Sequence, residues 1–93
     1  MILSFSDRET EALFSFGRVP AKWAKIENVV LRKLDMLNAA VELNDLRAPP
    51  GNRLEALRGD RAEQFSIRIN DKWRICFVWT PQGPSSVAIV DYH

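Results

Sequence analysis

The chain has 93 residues, 46% of them hydrophobic and 27% charged, which suits one small domain with a single core and is too little for two. That apolar share excludes a disordered chain, and no run approaches the roughly 18 apolar residues needed to span a bilayer. The formal net charge is +1, so the molecule as a whole does not trap nucleic acid by charge alone.

Met1-Ile2-Leu3-Ser4-Phe5 lacks the basic start and long apolar stretch of a secretion signal, and a cytoplasmic protein is expected. Ile2 to Phe5 reads as a short strand. Ser6-Asp7-Arg8-Glu9 has the spacing of a capping box, with Ser6 accepting from the backbone at Glu9, and predicts a first helix to about Phe16 that Gly17 stops. Pro20 suits the first turn of a second helix, along which Trp23, Ile26, Val30, Leu34, Leu37 and Val41 recur at intervals of three or four. Such a stripe, roughly 30 Å long at 1.5 Å per residue, is ordinarily a core face and not a partner-binding groove.

Ala48-Pro49-Pro50-Gly51-Asn52 ends the helical pattern. A short strand is expected near Arg53 to Leu57. Phe65, Ile67 and Ile69 then alternate with Ser66, Arg68 and Asn70, and Trp73, Ile75, Phe77 and Trp79 with Arg74, Cys76, Val78 and Thr80, the two runs joined by a turn at Asn70-Asp71. This is a hairpin with one face in the core. Pro81 to Pro84 turn the chain again, and Val87 to Val90 begin the last strand. The order is β-α-α-β-β-β, an α+β single domain over residues 1–93 in which an antiparallel sheet carries the two N-terminal helices on one face. Cys76 is the single cysteine, so an internal disulfide is excluded, and its place in an aromatic strand marks a small buried hydrophobe.

Charge is unevenly placed. Residues 1–45 carry six basic and seven acidic side chains, whereas residues 46–74 carry seven basic (Arg47, Arg53, Arg58, Arg61, Arg68, Lys72, Arg74) against four acidic. Six of those seven are arginine, whose planar fork matches phosphate oxygens and stacks on bases. A solvated basic face accounts for the excess equally well. Alternation puts Arg68 and Arg74 on the side of the hairpin away from its large apolar residues, with pairing of Arg68 and Arg74 to Glu63 or Asp71 across strands as the structural alternative. The last strand brings Asp91, Tyr92 and His93, the only histidine, to the end of the same sheet. Together these make an arginine-lined face edged by groups that handle protons, a candidate site for a phosphodiester. One histidine and scattered carboxylates form no recognisable metal-ligand set, and no cofactor is expected.

Three segments carry a family resemblance: Pro50-Gly51-Asn52-Arg53-Leu54-Glu55-Ala56-Leu57-Arg58-Gly59-Asp60-Arg61, the S-I-R-x-N-x-x-W-R-I-x-F hairpin of Ser66 to Phe77, and the closing Asp91-Tyr92-His93. In this order and spacing the chain resembles the HigB branch of the RelE/ParE toxin superfamily, including the similar GraT toxins. The resemblance implies a RelE-like fold and a toxin of a type II toxin-antitoxin pair. Its activity would be ribosome-dependent cleavage of messenger RNA, and its partner a HigA-like helix-turn-helix antitoxin through which operator DNA is reached only indirectly. The family's catalytic positions fall on Arg58, Arg74, Asp91, Tyr92 and His93. Some members of the branch have a histidine where this chain has Glu55, whose share in proton transfer therefore stays open. Arg53, Arg61, Arg68 and Lys72 are left to contact RNA.

RNA cleavage without a metal can use the neighbouring 2′-hydroxyl as nucleophile. The protein must then deprotonate it, neutralise the phosphate and protonate the departing 5′-oxygen. Arginine does not release its proton near neutrality, so Arg58 and Arg74 are assigned to charge stabilisation and His93, Asp91, Tyr92 and Glu55 to the remaining steps. Which is acid and which is base is open. Two other readings use the same residues: a non-catalytic RNA- or ribosome-binding module, and a co-repressor whose arginine face docks its antitoxin.

Overall fold

The structure, a computed structural model, describes residues 1–91, and the expectations that fall on Tyr92 and His93 lie outside the described residues. Helix α1 spans Arg8–Phe16. Its cap is Asp7, one residue beyond the expected Ser6: Asp7 Oδ1 accepts from the Thr10 N–H at 2.6 Å and Oδ2 from the Thr10 hydroxyl at 3.0 Å. A carboxylate here both satisfies an open amide and faces the positive end of the helix dipole. Gly17 closes the helix as expected, with φ of 69° and its N–H given to the Leu13 carbonyl at 3.0 Å.

The second helical stretch begins after Pro20 as a 3₁₀ helix, Ala21–Ile26, and continues as α2, Glu27–Ala39. It stops short of Val41, which is 83% exposed and not part of the buried stripe. The reason lies in Asp45, whose Oδ2 takes the N–H groups of Val41 and Glu42 at 3.0 Å each and draws the backbone into a separate 3₁₀ helix, Leu43–Arg47. Those two donors hold the Asp45 carboxyl below its ordinary range. The rest of the stripe behaves as expected: Trp23, Val30, Leu34 and Leu37 are buried with Leu13 and Leu46 against the sheet.

That sheet has four antiparallel strands in sequence order: β1 (Glu55–Ala56), β2 (Gln64–Arg68), β3 (Trp73–Thr80) and β4 (Gly83–Asp91). Register pairs Phe65 with Phe77, Ile67 with Ile75 and Ile75 with Ile89. The isoleucines and Phe77 are buried among the helix residues. The expected first strand is reduced to a parallel bridge between Phe5 and Val87, reinforced by Leu3 N–H to Pro84 O at 2.8 Å and Ser6 N–H to Val87 O at 3.0 Å. The architecture is α+β, helices first and sheet after. One expectation about faces is corrected. Trp73 and Trp79, near the strand ends, are only half-buried, whereas Ser66, Arg74 and Cys76 on the opposite face are buried. The segment from Arg53 to Arg61 carries the edge strand β1, and its Arg53 carbonyl reaches Arg74 on that second face.

Candidate active site

That edge segment starts from a built corner. Pro50–Asn52 form a single 3₁₀ turn, and Arg53 follows with φ of 45°, a left-handed conformation unusual for a side-chain-bearing residue. The turn directs the Arg53 carbonyl at Arg74, which donates to it through Nη2 at 2.7 Å. Arg74 is 5% exposed, not open on the face as alternation implied. Its Nε donates to Ser66 Oγ at 2.8 Å, and Nη2 stands 4.0 Å from Glu55 Oε1 on β1. Ser66 thus links the two, accepting from Arg74 and paired in register with Glu55 on one side and Cys76 on the other.

Beyond this guanidinium the segment and the sheet enclose an open cleft of about 910 Å³. Among the described residues its walls are Glu55, Ala56, Leu57, Arg58 and Arg61 from the edge segment, with Cys76, Val90 and Asp91 from β3 and β4. Leu57 holds the wall down: its side chain is buried and its N–H reaches Gln64 O at 2.9 Å. Arg58 and Arg61 are exposed on the rim, the one capping and the other ending the 3₁₀ turn Gly59–Arg61, and Arg61 also bonds Gln64 Oε1 at 3.3 Å. Two carboxylates and two rim arginines thus face one volume, with Arg74 behind Glu55. Negative charge is attracted to the guanidinium groups there, and the carboxylates can accept protons.

Of the other expected contacts, Arg68 is half-buried and paired with Asp71, the structural alternative raised above. Lys72 lies over the Trp73 ring, its Nζ 5.3 Å from the centroid and 3.9 Å from Asp91 Oδ2. Arg53, Arg68 and Lys72 stand outside the cleft lining. Cys76 forms part of the floor, where burial pushes its thiol above the ordinary range despite the opposing pull of Arg61 and Arg74. The thiol is therefore the neutral form at pH 7. Ser66 escaped the sequence reading although its alternation with Phe65 and Ile67 placed it on Arg74's face. So did Lys33 and Asn52, for no local pattern separates a buried Asn from an ordinary turn residue. Among the described residues no group of three or more His, Cys, Asp and Glu side chains could hold a metal ion. No helix among them is long and apolar enough to cross a membrane.

Residues 3–93 match the model of the HigB-like toxins, described as the RelE-like toxin of the type II toxin-antitoxin system HigB. The chain belongs to this family. Among HigB-like relatives, Toxin HigB-1 of Vibrio cholerae serotype O1 is 40% identical over 83 residues, covering 85% of this chain and 84% of that protein. Endoribonuclease HigB of Proteus vulgaris is 28% identical over 93 residues, the full length of both. Membership in a type II system implies an antitoxin as the toxin's counterpart.

Proposed function

We propose that this HigB-like toxin is a metal-independent endoribonuclease that cuts messenger RNA in the ribosome, in the cytoplasm, and is neutralised by a HigA-like antitoxin. The observation that carries the reading is the cleft that gathers Glu55, Arg58, Arg61 and Asp91 in front of Arg74, in a chain matching an endoribonuclease over its whole length. In this reading a base removes the 2′-hydroxyl proton, the 2′-oxygen attacks phosphorus, and the P–O5′ bond breaks as an acid protonates the departing oxygen. The products are a 2′,3′-cyclic phosphate and a 5′-hydroxyl. Arg58 and Arg74 stabilise the charge that grows on the phosphate, Asp91 and His93 handle the two protons with Glu55 as a further proton carrier, and Tyr92 contacts the substrate. Arg53, Arg61, Arg68 and Lys72 guide the RNA towards the cleft.

The test is cleavage of a defined message on purified ribosomes, with each variant checked for folding by circular dichroism. Asp91→Asn and His93→Gln keep size and hydrogen bonding but remove titration, and each is expected to slow cleavage by roughly 10² to 10⁴ at saturating ribosomes. Wild-type rates in both folded variants would remove these residues from the chemistry. Binding of message without any new 5′-hydroxyl end would favour the RNA-binding module.

A further inference from the structure

Behind the cleft lies a buried polar pair that the proposed chemistry does not use. Lys33, on α2, is 7% exposed, and its Nζ donates to Oδ1 of Asn52, which is fully buried. The Asn52 amide nitrogen in turn donates to the carbonyls of Leu46 at 3.2 Å and Ala48 at 3.3 Å, and lies 3.0 Å from Met36 Sδ. One carboxamide therefore joins the helix layer to the Leu43–Arg47 and Pro50–Asn52 turns. The residue that follows is Arg53, held in its left-handed conformation, and its carbonyl is the acceptor for Arg74. A non-glycine residue stays in that region only when its surroundings over-determine it. Asn52, immediately before it, supplies that constraint.

The geometry points to Lys33 and Asn52 as positioning residues for the cleft: they fix the corner at Arg53, the corner fixes Arg74, and Arg74 fixes the Glu55 wall. Neither is among the described residues that line the cleft. Their effect on rate rests on the ribonuclease reading, whereas their effect on Arg74 does not. A buried lysine kept only for stability would be replaceable by an apolar side chain of similar length without consequence for Arg74. A positioning lysine would not.

Lys33→Met tests this in the full-length protein. Alone it should lower kcat on purified ribosomes by on the order of 10- to 100-fold, with KM changed less than about twofold, since misplacing a group in the site costs turnover more than binding. Combined with Arg74→Lys it should add less than about twofold to the loss from Arg74→Lys, because the path through Arg74 is already broken. Independently of activity, the Arg74 Nε–H signal in ¹⁵N NMR should exchange faster in Lys33→Met than in wild type as its bond to Ser66 loosens. Should Lys33→Met fail to fold, Asn52→Asp is read the same way: it keeps Oδ1 for Lys33 and removes both donations to the Leu46 and Ala48 carbonyls. Unchanged Nε–H exchange, or losses that multiply in the double variant, would overturn the inference. A wild-type protein that cuts no message, together with quickened exchange in the variant, would sink the ribonuclease reading and leave the positioning role standing.

Discussion

Arg74 joins the fold to the proposed chemistry, and its burial changes what its removal should do. With bonds to Ser66 Oγ and Arg53 O inside the protein, Arg74→Ala should lose on the order of 3 kcal/mol of stability or more, because hydrogen bonds to charged groups are worth roughly 1.5–3 kcal/mol each and the alanine restores neither of the two. Urea denaturation measures this, and an unchanged midpoint would show that water replaces the guanidinium without penalty. Lys33 yields a prediction in pH. Burial, then the nearby Arg32 and Arg68 charges, hold its ammonium below the ordinary 10.5. Below that lowered native value both folded and unfolded chains carry the proton and the native state bears the full cost of burying it. As pH rises through it towards 10.5, native Lys33 gives up its proton first and the cost is relieved. The stability of wild type relative to Lys33→Met should therefore increase from neutral pH into that alkaline window; a constant difference would contradict the assigned burial cost. At this scale the sequence showed the residue types but not their depth. Arg74 read as a surface cation because period-two alternation reports only which side of a sheet a residue takes, not which groups close around it there.

At the scale of elements, the two long helices and the β2–β3–β4 meander were legible because each has its own period and punctuation, and Gly17 is the clearest case. Its positive φ and empty surroundings isolate a single effect, so Gly17→Ala should cost about 1 kcal/mol, the price of a Cβ in the left-handed region. Gly83 differs. A Cβ there would meet the Met1 carbonyl oxygen at 2.5 Å, in addition to the strain of φ at 137°, so Gly83→Ala must also push the first residues away from β4. Its melting temperature should fall well below that of Gly17→Ala, and equal losses would argue that the N-terminal segment moves freely. What the sequence concealed were competitions between neighbours. Asp7 took the cap from Ser6, and Asp45 took the amides that would have carried α2 to Val41. In both cases a carboxylate won backbone donors that periodicity alone would assign elsewhere.

Across the whole molecule, the near-neutral net charge hides a basic middle, residues 46–74, that supplies the Arg58 and Arg61 rim. An antitoxin that covers this region should be acidic where it meets it, and its association rate should fall as salt rises from about 50 to 200 mM, whereas a salt-independent rate would point to an apolar docking face. The bridge between Phe5 and Val87 bears on how the molecule comes into being. It joins residues from opposite ends of the described chain, and β4, which also carries Asp91, is the strand that receives it. Closing a loop of such wide sequence separation costs chain entropy before the contact repays it, which slows folding. Until β4 pairs with β3 the sheet is unfinished and the cleft lacks its Val90 and Asp91 wall, so the site is assembled by the same long-range closure that completes the fold.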